Sequence, residues 1–151
     1  MGIGDLEKGK IAEYAVFGEL LKRGAIPYVP LVDVEGIDAI IPKGKGKCIE
    51  LQIKSTHTEE MEGSFNVDDL AVKPNFYIIG VTVTGGMSDR TEYEYWVFPS
   101  KVFLKHAQQI QHPKKGYATY RLDLWYGKRI HGAYLKDILK KYCNNWRPLV
   151  R

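Results

Sequence analysis

Apolar and polar residues alternate along residues 48–55, and this alternation predicts a β-strand. The apolar residues share one face of that strand, whereas the other face carries Cys48, Glu50, Gln52 and Lys54. Residues 37–41, an apolar run interrupted by Asp38, predict a second strand, and a turn rich in lysine and glycine joins the two. If these strands pair as a hairpin, Asp38 lies beside the polar face.

The rest of the pattern predicts more strands and three helices. Residues 6–23 have apolar residues at helical spacing and are followed by Gly24, which favours a helix end there. The continuous apolar run 76–83 predicts a buried central strand. We also predict an edge strand at 27–32, strands at 93–98 and 117–125, a helix at 101–109 capped by Ser100, and a helix at 133–142. The fold class is therefore α/β, a mixed β-sheet flanked by helices.

The polar groups of the predicted hairpin suit chemistry on a phosphate ester. Mg²⁺ prefers oxygen ligands and keeps several waters, so one carboxylate, an amide or backbone carbonyl, and a substrate phosphate complete its shell. Asp38 and Gln52 fit the metal-binding roles, and Lys54 is placed to orient water or stabilise negative charge. The alternatives are that Asp38 closes the turn after Gly36 and that Lys54 is a surface lysine at a strand end.

Glu13 lies at the margin of the apolar face of the first predicted helix, one turn before Val16 and Phe17. A carboxylate at this position needs a partner, because an unpaired buried charge is costly. It either contacts the water shell of the metal or forms an ion pair with Lys10 or with another partner.

These residues resemble the PD-(D/E)XK nuclease superfamily, in which a helix carries a glutamate, a strand an aspartate, and the next strand acid-x-lysine. The matching residues are Glu13, Asp38, Gln52 and Lys54, and "GIDAII" followed by "IELQIKST" is similar in particular to Mrr-type restriction and group I intron homing endonucleases. The resemblance covers residues 7–55. It implies a restriction-endonuclease-like fold and catalysis with Mg²⁺, or Mn²⁺ as a substitute, at a metal site formed by Glu13, Asp38, Gln52 and Ile53.

Gln52 departs from the family pattern, because many relatives have an acid at this position. A neutral amide holds a metal less tightly unless another acid compensates. Glu50 lies on the same strand face, roughly 6.5 Å away, and is the acid that could do so. The alternative is that Glu50 is an ordinary solvated strand residue.

The composition describes a globular protein, and its 151 residues predict a single domain spanning 1–151. The net charge of +4 permits a polyanionic partner. No apolar run is long enough for a membrane span and no signal peptide is evident, so we expect a cytoplasmic protein without a membrane partner. The two cysteines and four histidines lack zinc-site spacing, and phosphate-binding and acyl-transfer motifs are missing.

Two basic stretches are candidates for DNA contact outside the predicted cleft. The hairpin turn carries Lys43, Lys45 and Lys47, which either meet phosphates or are simply solvated. Lys114, Lys115 and Arg121 alternate with aromatic residues, as is typical of a nucleic-acid-binding surface, although such aromatics can instead belong to a core or an oligomer contact.

The leading hypothesis is a magnesium-dependent endonuclease that hydrolyses double-stranded DNA. Cutting both strands requires two sites, so a homo-oligomer, a dimer or tetramer, is expected. Intron homing is the preferred role, and a restriction or repair nuclease is the next interpretation. The alternatives are a catalytically inactive, nuclease-like module that binds nucleic acid, and an RNA-directed nuclease.

Overall fold

The computed structural model describes residues 4–32, 36–58, 63–85, 90–125 and 134–150, which form a mixed α/β fold. Its elements are α1 (Asp5–Lys22), β1 (Ala39–Gly44), β2 (Lys47–His57), β3 (Ser64–Asp68), β4 (Phe76–Thr84), β5 (Glu92–Pro99), α2 (Ser100–His106), β6 (Gln108–His112), β7 (Tyr117–Asp123), α3 (Leu135–Ile138), a 3₁₀ turn (Lys140–Tyr142) and α4 (Arg147–Val150). No helix within these ranges combines the length and the apolar character needed to cross a membrane.

The larger sheet has four strands in the order β1-β2-β4-β5. Strands β1 and β2 form the predicted antiparallel hairpin, β2 and β4 are parallel, and β4 and β5 are antiparallel. The sheet is therefore mixed, and β4 lies inside it as its apolar run predicted. One face packs against α1, whose buried Ala12, Val16 and Leu20 share a hydrophobic core with Leu51 and Ile53 of β2.

The opposite face of this sheet packs against a second core. An antiparallel three-stranded sheet, β3-β7-β6, contributes Phe65, Val67 and Leu122 to that core, and α2 contributes Phe103. The two sheets pack closely at Gly80 of β4, where an added Cβ would lie 2.5 Å from the ring of Phe65. Glycine is therefore required at this position by packing, and the mixed sheet is covered on both faces.

The predicted edge strand at 27–32 is wrong. Among the described residues of this segment only Tyr28 pairs, through two backbone hydrogen bonds of 2.8 Å with Ile40. Pro27 and Pro30 flank this bridge, and proline cannot donate a hydrogen bond to a ladder. The segment therefore contacts β1 at one point without forming a strand.

The predicted helix at 101–109 is also wrong in its bounds. Helix α2 begins at Ser100 with Pro99 as its N-cap and ends at His106, because Ala107 is extended. The Ser100 hydroxyl does not cap α2; it donates to the carbonyl of Lys73 and accepts from the Lys73 N–H. Residues 108–112 form β6 instead, and this strand and β3 were not predicted.

The C-terminal part departs from the predicted helix at 133–142. Helix α3 covers only Leu135–Ile138 and is followed by the 3₁₀ turn Lys140–Tyr142, whereas Ala133 lies outside the described residues. Strand β7 ends at Asp123, two residues earlier than predicted. The strands lie in two sheets, because β7 pairs with β3 and β6 and not with the larger sheet.

Candidate active site

Asp38 is attached to β2 by two hydrogen bonds at the point where β1 begins. Its N–H donates to the carbonyl of Leu51 at 2.8 Å, and its Oδ2 accepts from the N–H of Ile53 at 2.6 Å. The first paired residues of the hairpin are Ala39 and Leu51, so Asp38 lies opposite Gln52. The hairpin therefore brings Asp38 and the polar face of β2 together, as the sequence pattern predicted.

The pKa of Asp38 responds to the charged groups that lie near its carboxyl. Burial raises the pKa of Asp38 above its ordinary value, and the hydrogen bond from the Ile53 N–H opposes this. The carboxylate of Glu13 raises the pKa further, whereas the ammonium groups of Lys54 and Lys10 lower it. Three of the four residues in the predicted motif are thus close enough to interact electrostatically.

Glu13 projects from α1 with a side chain that is only 19% exposed. Its Oε2 accepts a hydrogen bond from Nζ of Lys10 at 3.0 Å, and this bond is the main cause that raises the pKa of Lys10. The ion pair proposed as an alternative from the sequence is therefore present. It does not isolate Glu13 from the site, because Glu13 also acts on the pKa of Asp38.

Gln52 is buried, with 8% of its surface exposed, and its amide lies against Gly36. A Cβ on Gly36, which has φ of +66°, would lie 3.3 Å from Nε2 of Gln52, so glycine suits both the turn and the close approach. Within the described ranges, the Gln52 amide makes no hydrogen bond. The amide is not fully enclosed, because Gln52 borders a cavity, and its oxygen is therefore accessible to a ligand.

The Gln52 amide borders a cavity of about 340 Å³. Asp68 and Asp69 at the end of β3, which the sequence did not single out, also line it, but the Asp68 carboxylate accepts a hydrogen bond from Thr119. These two acids were missed because β3 itself was not predicted. Glu13, Asp38 and Lys54 are not among the described residues that line this cavity. The sequence named Lys10 only as a possible partner of Glu13, three residues away, whereas its ammonium also lowers the pKa of Asp38.

Lys54 is half-buried on β2 and lies opposite Gly80 of β4. Among the described residues it has no ion-pair partner within 4 Å, and its charge lowers the pKa of Asp38. Ile53 is different, because its side chain belongs to the core beneath α1. Only its backbone faces Asp38, so its carbonyl oxygen is the one group that it offers to a metal.

Glu50 shares the polar face of β2 but pairs with Lys73, whose ammonium also lies over the ring of Phe76 at 5.6 Å. Glu50 is not among the groups that act on the pKa of Asp38. The alternative interpretation, a solvated strand residue, is therefore only partly correct, because the Glu50 side chain is 18% exposed and has a structural partner.

The basic residues predicted to contact DNA lie in two separate places. Lys45 and Lys47 are exposed at the β1–β2 turn, whereas Lys43 donates from Nζ to the carbonyl of Leu149 at 3.0 Å, and burial lowers its pKa. Lys114 and Lys115 are exposed in the β6–β7 turn, and Arg121 is exposed on β7.

The oxygen atoms at this site suit an Mg²⁺ ion that keeps several bound waters. They do not suit a metal ion whose ligands all come from the protein. The described part of the chain contains no cluster of three or more histidine, cysteine, aspartate or glutamate residues. Two carboxylates, the unpartnered amide of Gln52 and the carbonyl of Ile53 are nevertheless oxygen donors of the kind that Mg²⁺ binds. These residues can hold an ion whose remaining positions are filled by water or a substrate.

No family model and no curated protein matches the chain. Among solved structures, the fold is similar to that of a bacterial homing endonuclease, I-Ssp6803I. The two are 22% identical in sequence, the match covers 99% of this chain and 93% of that chain, and the TM-score is 0.58. This similarity confirms the predicted fold class, a mixed α/β architecture with a mixed sheet flanked by helices.

Proposed function

We propose that this protein is a metal-dependent endonuclease that hydrolyses phosphodiester bonds in double-stranded DNA, and that it acts by PD-(D/E)XK chemistry. The observation that supports this most is the placement of Asp38, which is held on β2 opposite Gln52 and within electrostatic reach of Glu13 and Lys54. A similar fold in a homing endonuclease agrees with this proposal.

The proposed metal is Mg²⁺, with Mn²⁺ as a substitute. Asp38, Gln52 and the carbonyl of Ile53 would hold it directly, and Glu13 would hold its water shell. When bound, such an ion polarises a phosphoryl oxygen and lowers the pKa of bound water. Asp38 must be deprotonated for this role; burial raises its pKa, and the positive charges of Lys54 and Lys10 partly offset that rise.

Lys54 has the second role in the proposed mechanism. Its ammonium lies near Asp38 without a competing carboxylate among the described ion pairs, so it is available to a phosphate oxygen or an attacking water. A donor placed where negative charge develops contributes about 10²–10³ to a rate. The protein surface near Lys45 and Lys47 would bind flanking phosphates.

The proposed biological role is intron homing in the cytoplasm, with a restriction or repair nuclease as the alternative. Cleavage of both strands by one small domain requires two copies with sites facing opposite strands, so the protein would act as a homo-oligomer, a dimer or tetramer. The homing role rests on two observations: the structure with a similar fold, I-Ssp6803I, is a homing endonuclease, and residues 36–55 carry the motif.

A second candidate function is a nuclease-like module that binds nucleic acid without cutting it. The neutral Gln52 favours this alternative, because it leaves the site with one negative charge fewer than an acid would supply. The pairing of Glu50 with Lys73 favours it as well, because the nearest replacement acid is already engaged.

Plasmid cutting separates the two functions. Supercoiled plasmid incubated with the purified protein should be nicked with Mg²⁺ or Mn²⁺ and remain intact in EDTA. Lys54→Ala should reduce nicking by about 10²-fold or more, whereas Lys101→Ala, an exposed lysine on α2, serves as the matched control and should cut normally. Binding of DNA without metal-dependent cutting would support the inactive module.

A further inference from the structure

The outer face of the three-stranded sheet presents a row of polar side chains that the proposed active site does not use. Along β3 and β7 the inward residues Phe65, Val67 and Leu122 are buried. The residues between them point outward. Strand register places Asn66 of β3 opposite Arg121 of β7, and Arg121 opposite Gln108 of β6. All three of these side chains are exposed.

These three residues differ in hydrogen bonding from the next polar residues along the same face. Among those residues, Nε2 of His112 lies 2.8 Å from the Thr119 hydroxyl, which donates to Asp68 at 2.6 Å. The Asn66–Arg121–Gln108 row has no such internal bonding in the described part of the chain. Its one ion pair joins Arg121 to Asp123 at 3.9 Å, which is a weak, exposed contact.

The row contains the residue types that distinguish base pairs in the major groove. Arginine binds guanine through two hydrogen bonds, and asparagine and glutamine bind adenine in the same way. Adjacent strands are about 4.8 Å apart, so the three side chains span about 10 Å. This width is compatible with a major groove of about 12 Å, which admits β-ribbons.

The charges around the row are also compatible with DNA. Lys114 and Lys115 are exposed in the β6–β7 turn, at the end of the hairpin away from the row and about 13 Å from it along β6, where they can reach phosphates further along a bound duplex. Two acids share the face, Asp68 and Asp123. The first is bound by Thr119, and the second lies beside Arg121, where it can orient the guanidinium or accept from a cytosine amino group.

We propose that Asn66, Arg121 and Gln108 form a base-reading row that gives the nuclease its sequence preference through the major groove. This inference rests on the proposed function, because it assumes that double-stranded DNA is the substrate. It assigns the two sheets different tasks, with hydrolysis at β2 and readout on the outer face of β3-β7-β6.

Selection from a random duplex library tests the proposal. Wild-type protein in EDTA should enrich a defined sequence. Arg121→Lys keeps the positive charge but cannot form the paired hydrogen bonds that a guanidinium makes with guanine. It should therefore reduce the preference for one base of the enriched sequence by about tenfold or more. Gln108→Ala should reduce the preference at a different position. Gln109→Ala is the matched control, because this exposed glutamine lies on the other face of the same strand and should leave the enriched sequence unchanged.

The outcomes distinguish this inference from the proposed function. If Lys54→Ala enriches the wild-type sequence without nicking plasmid, readout and hydrolysis are separate, as proposed. If the wild type nicks plasmid but enriches no sequence, or if both row variants keep the full wild-type preference with unchanged thermal unfolding, the base-reading row is overturned and the nuclease stands. A protein that neither nicks nor enriches DNA overturns both, and the row would then suit a protein partner.

Discussion

The polar face of β2 and the outer face of β7 both carry polar residues at every second position, but their surroundings differ. On β2, Gln52 is buried and unpartnered among the described residues, and the adjacent Asp38 has a raised pKa caused mainly by burial. On β7, Arg121 is exposed and Thr119 is hydrogen-bonded within its own face. The same alternating pattern therefore produces a buried polar face beside one carboxyl with a raised pKa in one sheet and a solvated surface in the other.

This difference separates two properties of a polar strand, the alternation of its residues and their burial. Alternation alone fixes only which residues share a face. Burial determines whether a carboxylate on that face changes its pKa, and pKa shifts concentrate at functional sites. The comparison predicts that changes at Asp38 affect chemistry most, whereas changes at the contact between the sheets affect folding.

The largest expected effect is that of Asp38→Asn on cutting. The asparagine keeps an oxygen that can accept from the Ile53 N–H but removes the charge, so plasmid nicking should fall by about 10²-fold or more. Addition of Mg²⁺ should raise the melting temperature of the wild type and leave that of the variant unchanged. Equal stabilisation of both proteins by Mg²⁺ would contradict the metal role of Asp38.

The pH dependence of stability provides a second readout of the same variant. The pKa of Asp38 is higher in the folded protein than in the unfolded chain, so the folded state binds more protons and the wild type loses stability as pH rises through this range. Asp38→Asn does not lose stability in this way, because asparagine does not titrate. The variant should therefore melt higher than the wild type at pH 7, and the difference should vanish below the ordinary aspartate pKa.

The next effect concerns the contact between the sheets. Gly80→Ala places a methyl group against the Phe65 ring, where overpacking should lower the free energy of unfolding by about 1–3 kcal/mol in urea titrations. Gly18→Ala on α1 is the control, since nothing lies within 4 Å of its added Cβ, and it should stabilise by about 0.5–1 kcal/mol. Unchanged stability of Gly80→Ala would mean that the sheets do not pack at this point.

The two sheets also differ in how well the sequence predicted them. Helix α1, the β1–β2 hairpin and strands β4 and β5 were predicted because each has a strong apolar period or a long buried run. The motif led to Glu13, Asp38, Gln52 and Lys54, and the structure brings Glu13 and Lys54 within electrostatic reach of Asp38. Their roles at a catalytic site stay predictions.

Strands β3 and β6 were not predictable in the same way. Every residue of β6 except His112 is exposed, so the strand has no apolar alternation, and its location depends on pairing with β7. Gln52 and the end of β3 at Asp68 and Asp69 border one cavity only because the two sheets stack. Such contacts depend on tertiary packing, which overrides local propensity.

The smallest expected effect is that of Glu50→Gln, and it tests whether every polar residue of β2 belongs to the site. Glu50 pairs with Lys73, a contact with an exposed ammonium, so its loss should cost no more than about 1 kcal/mol of stability. Nicking should stay within about tenfold of the wild-type rate, which corresponds to about 1.4 kcal/mol.

A double-mutant cycle with Lys73→Met determines which partner Glu50 has. If Glu50 acts only on Lys73, the stability effects of the two changes should be non-additive, and neither change should alter the Mg²⁺ concentration needed for nicking. A loss of nicking in Glu50→Gln that is recovered at higher Mg²⁺ would instead make Glu50 the acid that compensates for Gln52. In that case the site would extend along β2 beyond Gln52, and the boundary between catalytic and structural residues on this strand would move by two positions.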